Sequence, residues 1–336
     1  MNSASSEHGT NNVASCPGPA LSVVIVTWKR PTYVDRCLRH LIPDVTPDDE
    51  IIIVDASDDT ATKTVVAQFP SVLYTRFPGG AGHMTSSRNE ALLHVSNEVI
   101  AFLDDDVEVR PGWCQALREA FRDPTLAAAA GRTCNGEPGE ELVGIDAVGT
   151  IRDDGTLTAN FAADTGRPVT IQHGIGANMI FRSATLSRLG GFRDDFPGTE
   201  MREDTDVFLR IGALGGRIVF LPQAAADHLG APHAKGRRFD WRYRYWANHN
   251  HVVLLGRNFG LRSRVVQLWL LSSVRQAVQE ATNMQGGRIR SLWRISVPVV
   301  GSAVGLLTCL GRAGLRPVDP CRQDPNASQI RRHLDP

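Results

Sequence analysis

Lysine is nearly missing from this chain: of 336 residues, only Lys29, Lys63 and Lys235 carry an ammonium group. Arginine supplies the remaining positive charge. The 36 basic residues balance 36 acidic ones, so no net field exists to gather nucleic acid. Closely spaced cysteines are also lacking. Cys16, Cys37, Cys114, Cys134, Cys309 and Cys321 stand too far apart for a metal knuckle or a small disulfide framework, which fits a reduced, cytoplasmic setting. Residues 1–20 have neither the basic start nor the apolar core of a signal peptide and read as a disordered lead-in. No internal repeat is visible. The glycine-rich Gly79-Gly80-Ala81-Gly82 is not followed by Gly-Lys-Ser/Thr and lacks the GxGxxG spacing, which excludes a P-loop and a dinucleotide fingerprint. The uncharged stretch Ile295 to Leu310 falls short of the roughly 20 residues that a membrane span needs.

What is present is a run of apolar strands, ending at Thr27, Asp55, Phe77 and Asp104, two of which terminate in acid. Val99 to Leu103 is a short buried strand, and Asp104-Asp105-Asp106 follows it without a break. Three adjacent carboxylates at a strand end are either a solvated acidic turn or a site for a hard divalent cation such as Mg²⁺ or Mn²⁺ on a diphosphate. Leu21 to Thr27 reads as another strand buried on both faces. A helix from Thr32 to Ile42 follows, then a strand Glu50 to Val54 running into Asp55. Ser57 or Asp58 is placed to cap a helix reaching Phe69, and Ser71 to Phe77 is the next strand. The glycine turn then opens a helix through Ser86 to Leu92, with free N–H groups on offer to an anion. Strands alternating with helices mean βαβ units and a mostly parallel sheet.

Further on, Gly131 to Gln172 is a region of short strands and loops. Strands are expected at Ala177 to Phe181 and Arg217 to Leu221, with a helix at Glu203 to Leu214 between them. That helix carries Val207, Phe208, Ile211 and Leu214 on one face, which would bury and hold Asp204 at its start. Asp204 is alternatively a simple helix-start acid. Phe239 to Phe259 interleaves aromatics with arginine, as a packing helix or as a lid over a phosphate. From Arg257 to Arg316 nine arginines face one acid, Glu280, and two apolar stretches, Val265 to Met284 and Ile295 to Leu310, lie among them. They read as helices on an anionic membrane surface or as a pair closing the core. Beyond Pro317 the chain reads as polar and frayed.

Several of these segments together resemble family 2 glycosyltransferases of the GT-A fold. The matching residues are Val24 to Pro31, Ile53 to Ser57, Gly79 to Gly82 with Ser87-Arg88-Asn89, Phe102 to Asp106, Gly176 to Arg182, Leu189 to Phe192 and Arg202 to Arg210. The resemblance implies a GT-A catalytic domain over 21–235, a C-terminal helical region over 236–316 and a polar tail over 317–336. It implies hexosyl or deoxyhexosyl transfer from a nucleotide-diphosphate sugar to an acceptor hydroxyl of a glycan, a lipid-linked saccharide or a small molecule, by metal-assisted inverting displacement. It places the donor against Thr27, Arg30, Asp55, Arg88, Asp104 and Asp105. It gives Mg²⁺ or Mn²⁺ to Asp106, with His228 completing the shell, and makes Asp204 the base. His233, His249 and His251 are weaker ligand candidates. An anionic membrane surface, at the inner face of the cell membrane, is a further expected partner; nucleic acid is not. The competing reading is a nucleotide-sugar binding protein without transfer, or a nucleotidyltransferase on a related fold.

Overall fold

A computed structural model describes residues 18–80, 83–231, 240–282, 288–312 and 316–335. In chain order the elements are β1 (Leu21–Thr27), α1 (Pro31–Leu41), β2 (Glu50–Asp55), α2 (Ala61–Val66), β3 (Val72–Arg76), α3 (Met84–Ala91), β4 (Val99–Asp104), β5 (Val107–Val109), α4 (Trp113–Phe121), β6 (Leu126–Cys134), β7 (Thr150–Ile151), β8 (Leu157–Thr158), β9 (Val169–Thr170), β10 (Asn178–Arg182), α5 (Ser183–Leu189), α6 (Glu203–Ala213), β11 (Arg217–His228), α7 (Trp241–Phe259), α8 (Arg264–Thr282), α9 (Arg288–Arg312) and α10 (Pro325–Leu334).

The main sheet runs β3-β2-β1-β4-β10-β6-β11-β5, with β9 paired to β11. β3, β2, β1 and β4 are parallel to their neighbours, whereas β10 lies antiparallel between β4 and β6. Side chains of the central strands alternate between two cores. Val23 and Ile25 of β1 face a core closed by α1 and α4, which contributes Trp113, Leu117 and Phe121. Val24 and Val26 face the other, closed by α5, α6 and α10. This double burial is why the strands are apolar without alternation.

Register sets where the acids meet. Thr27 pairs with Asp55 across β1 and β2, and Val26 pairs with Asp104 across β1 and β4. β1 therefore sits at the point where chain order reverses, the ligand crevice of an open α/β sheet. On the far side, His228 of β11 pairs with Val107 of β5, directly after Asp106.

The structure corrects several expectations. Strand β6 rests on the alanine-rich run Leu126–Cys134, whose Ala128, Ala129 and Ala130 are fully buried. Alanine is a poor strand former, but Phe181, Phe208 and Phe220 fill the space that its small side chains leave. Gly131 cannot be replaced there, since a Cβ would lie 2.2 Å from the Asn178 amide nitrogen. Ser57 and Asp58 do not cap α2: Ser57 is taken by Asp55 and by the Lys29 N–H, and Asp58 pairs with Lys29. Its first N–H, from Ala61, goes to Asp59 instead.

The segment after Pro317 is not frayed. Ile330 and Leu334 of α10 enter the second core, Arg322 donates to the carbonyl of Phe192, and Ser187 donates to Asp335. Polar composition concealed a short amphipathic helix. Ile330 is 2% exposed, so Ile330→Ala should cost about 2–5 kcal/mol of unfolding free energy in a urea titration. A frayed tail would give a change within about 0.5 kcal/mol.

Candidate active site

The acids of the Asp104-Asp105-Asp106 turn go three different ways. Asp105 turns inward: Thr27 Oγ1 donates to it at 2.7 Å and Arg30 Nη1 at 2.8 Å, and it is 3% exposed. Burial pushes its carboxyl up to about 6 against the pull of Arg30 and Thr27. Asp106 receives the Ala231 N–H at 2.7 Å and lies 3.5 Å from His228 Nε2. Burial would raise its pKa, but His228, the Ala231 N–H and Arg30 together hold it below the usual carboxylate range. Asp104 stays partly open, and burial with the neighbouring Asp106 charge raises it in spite of Arg88.

Asp104, Asp106 and His228 can each offer an atom within 4.8 Å of the others. Two hard carboxylates with one imidazole suit Mn²⁺ or Mg²⁺. The other His228 nitrogen faces Asn135 Oδ1 at 3.5 Å, a contact that orients the ring. His233 lies outside the described residues. His249 and His251 are buried in α7, where His249 meets Asn250 and Thr308 and His251 meets the Gly155 carbonyl.

Asp55 is fully buried. It accepts from the Ser57 N–H and hydroxyl and from the Tyr74 hydroxyl at 2.9 Å. Ser57 and Tyr74 thus orient this carboxylate; the sequence offered Ser57 only as a helix cap and did not single out Tyr74.

A second set of acids opens α6. Glu203 is 4% exposed and accepts from Arg88 Nη1 at 2.9 Å. The other end of the same guanidinium, Nη2, lies 3.3 Å from Asp104. Arg88, itself 1% exposed, thus spans the gap between the two acidic groups. Asp204 is partly exposed and accepts from the Gly176 N–H at 3.0 Å and from the Thr205 N–H. Gly176 sits close against both: a Cβ there would stand 3.1 Å from Arg88 and 3.6 Å from Asp204. Asp206 points elsewhere, fully buried among Arg193, Arg210 and Asn258.

The loop that delivers α6 is strained and clamped. Glu200 and Arg202 have φ of 57° and 85°, and Gly198 has 75°. Non-glycine residues there cost roughly 1–3 kcal/mol each. Glu200 holds the start of α3 by accepting from the Thr85 N–H at 2.9 Å and hydroxyl at 3.0 Å. The glycine turn was expected to offer free N–H groups to an anion; in this first turn of α3 the anion is the protein's own Glu200. Ala81 and Gly82 of that turn lie outside the described residues. From α7, buried Asn250 donates to the carbonyls of Pro197 and Met201, and Trp246 fills the space beside Gly198. Trp246 and Asn250 stand one helical turn apart, a spacing that could have marked this face in the sequence. Residues 249–257 are buried, so this half of α7 is a packing strut, whereas residues 241–248, which carry Arg242 and Arg244, are exposed or half-buried.

The sheet order and the acid-lined crevice define a GT-A nucleotide-sugar fold. Among solved structures, a mannosyltransferase from Pyrobaculum calidifontis, in complex with GDP-Man and Mn²⁺, aligns over 94% of this chain and 81% of its own, at 16% identity and a TM-score of 0.50. GalNAc-T7 with UDP, GalNAc and Mn²⁺ aligns over 90% and 59%, at 14% identity and a TM-score of 0.58. In sequence, the pattern of glycosyl transferase family 2 matches residues 22–190, and the chain belongs to that family. Similar proteins include the pre-mycofactocin glycosyltransferase of Mycobacterium tuberculosis, 30% identical over 144 residues, which are 43% of this chain and 29% of that protein. Validoxylamine A glucosyltransferase of Streptomyces hygroscopicus subsp. limoneus is 32% identical over 134 residues, 37% and 30% of the two chains. The succinoglycan biosynthesis protein ExoM of Rhizobium meliloti is 26% identical over 212 residues, 61% and 65%. The match covers under a third of the first two relatives.

Glu203 makes the site titrate. Burial first, then the Asp204 charge, push its carboxyl up to about 8 although Arg88 opposes them. An unfolded glutamate titrates near 4.3, so between these values the folded state binds more protons than the unfolded one. Its contribution to stability is full below about pH 4.3 and is lost as pH rises through about 8. Glu203→Gln should therefore remove a decline of up to about 1.4 kcal/mol per pH unit between pH 5 and 8, read from urea unfolding at several pH values. Parallel pH profiles for the two proteins would contradict this.

Proposed function

We propose that this chain transfers a sugar from a nucleotide-diphosphate donor to an acceptor hydroxyl with inversion at the anomeric carbon. The observation that carries the reading is the pair of acidic groups that buried Arg88 joins: Asp104, with Asp106 and His228, on one side, and the start of α6 on the other, where Glu203 takes Arg88 and its neighbour Asp204 stays partly exposed. Transfer needs two things at once, charge compensation on the leaving diphosphate and a base for the attacking hydroxyl. Asp104, Asp106 and His228 would hold the divalent cation, which when bound offsets the negative charge of the departing diphosphate. Thr27, Arg30 and Asp105 form the buried wall beside it, and Asp55 closes the crevice on the nucleotide side.

Asp204 takes the proton. The acceptor oxygen forms its bond to the anomeric carbon as the bond to the diphosphate breaks, and the hydroxyl proton passes to a carboxylate oxygen of Asp204. Of the three acids in the first turn of α6, Asp204 alone is partly exposed; Glu203 is bound to Arg88 and Asp206 to Arg193. The Gly176 and Thr205 N–H groups donate to this carboxylate and aim it. We assign these roles to the 21–235 domain. The acceptor class, glycan, lipid-linked or small molecule, stays open in this reading. A donor-binding protein without transfer would have no use for a second, partly exposed carboxylate beside the Arg88–Glu203 contact.

The test separates the two groups. Asp204→Asn keeps the shape and should lower transfer by at least about 10²-fold, within the range of about 10² to 10⁴ typical of general-base assistance. Its calorimetric affinity for donor and Mn²⁺ should match wild type. Asp106→Ala should lose Mn²⁺ binding and metal-dependent donor binding. An Asp204→Asn protein that transfers at near wild-type rate would remove Asp204 as base, since asparagine serves a helix start as well as aspartate.

A further inference from the structure

α9 has two faces that differ in what covers them. Its inner face meets α7 through small residues one turn apart. A Cβ on Gly301 would lie 2.5 Å from the Tyr245 carbonyl oxygen, and one on Gly305 would lie 2.6 Å from that of His249. Cys309 follows at the same spacing, buried against Val252. This close approach leaves the opposite face to the outside. That face carries Val299, Val300, Val304, Leu307 and Leu310, between 36% and 66% exposed. From Ser296 to Gly311 no charged residue interrupts it. A helix packed on one side and wet on the other is normally polar on the wet side. α8, which packs on α9, repeats the pattern: Leu271 and Val274 are 55% and 57% exposed and share their stripe with exposed Arg264 and Arg275.

A patch of this kind needs a cover. No described helix is long and apolar enough to cross a membrane. The uncharged part of α9 is about 25 Å long, short of the roughly 30 Å of a hydrocarbon core. A second copy of the chain fits poorly. A two-fold pairing sets the same patch against itself, and exposed Arg264 and Arg275, on the same stripe as Leu271 and Val274, would meet their own like charge. An anionic surface meets that charge with its complement.

We propose that the outward face of α8 and α9 seats the protein on an anionic lipid surface, with the valines and leucines at the boundary of headgroups and acyl chains and the arginines against the headgroups. This stands apart from the transfer chemistry and survives if that reading fails. The probe is a vesicle of phosphatidylcholine with about one third phosphatidylglycerol, and the readout is co-sedimentation of the full chain. Wild type should pellet with these vesicles, less with pure phosphatidylcholine, and less again as salt is raised. Val300→Glu with Leu307→Glu should lower the partition coefficient by about tenfold or more without lowering Tm. Arg264→Glu with Arg275→Glu, a second variant at exposed positions, should do the same and flatten the salt dependence. Failure of wild type to pellet, equal binding to both vesicle types, or unchanged binding by both folded variants would overturn the proposal. So would light scattering that shows a stable dimer split by Val300→Glu with Leu307→Glu, since a second copy would then be the cover.

Discussion

A single guanidinium, that of Arg88, is the contact on which the arrangement of this site depends. It lies 1% exposed between Asp104 of the strand-end turn and Glu203 of the α6 start. Removing a charge this deep from water costs several kcal/mol, and only well-placed partners offset it. The arginine therefore needs both acids in place. The consequence is geometric. β4 delivers one acid and α6 the other, from opposite sides of the crevice, and Arg88 fixes the interval between them. Gly176 lies against that contact, where a Cβ would stand 3.1 Å from Arg88.

Strain supports the same arrangement from behind. The loop before α6 adopts left-handed backbone at Glu200 and Arg202, which persists only where surrounding contacts over-determine it. Those contacts come from three places: the Glu200 bond to Thr85, the paired donations of Asn250, and the Trp246 ring over Gly198. The helices after residue 240 thus hold the base loop in position. The tail extends this support, since Arg322 and α10 lock onto the Phe192 to Asp194 segment and α5.

Much of this was legible in the sequence because the central strands are buried on both faces and carry an apolar signature that solvent-facing strands lack. β1, β2 and β4 could be read directly, with the acidic ends of β2 and β4, and so could α6 with its apolar stripe. His228 could be suspected, but only the antiparallel pairing of β5 with β11 brings it to Asp106. What could not be read depends on partners far along the chain. An alanine run becomes a central strand because phenylalanines from β10, α6 and β11 fill the space around it. Arg88 was expected to face the donor; it is instead turned inward, since Glu203 lies 115 positions away and only the fold joins them. Asp55 shows the same limit through Tyr74, which the β2–β3 register brings to it.

The most direct measurement compares Mn²⁺-dependent donor affinity and single-turnover transfer in Arg88→Gln and in Arg88→Gln with Glu203→Gln, where no buried carboxylate is left unpaired on the α6 side. If Arg88 sets the interval between the two acidic groups, both quantities fall in both proteins, even where the double variant regains its stability. A double variant that folds, binds donor with Mn²⁺ and turns over as wild type would contradict the account and reduce Arg88 to a buried ion pair.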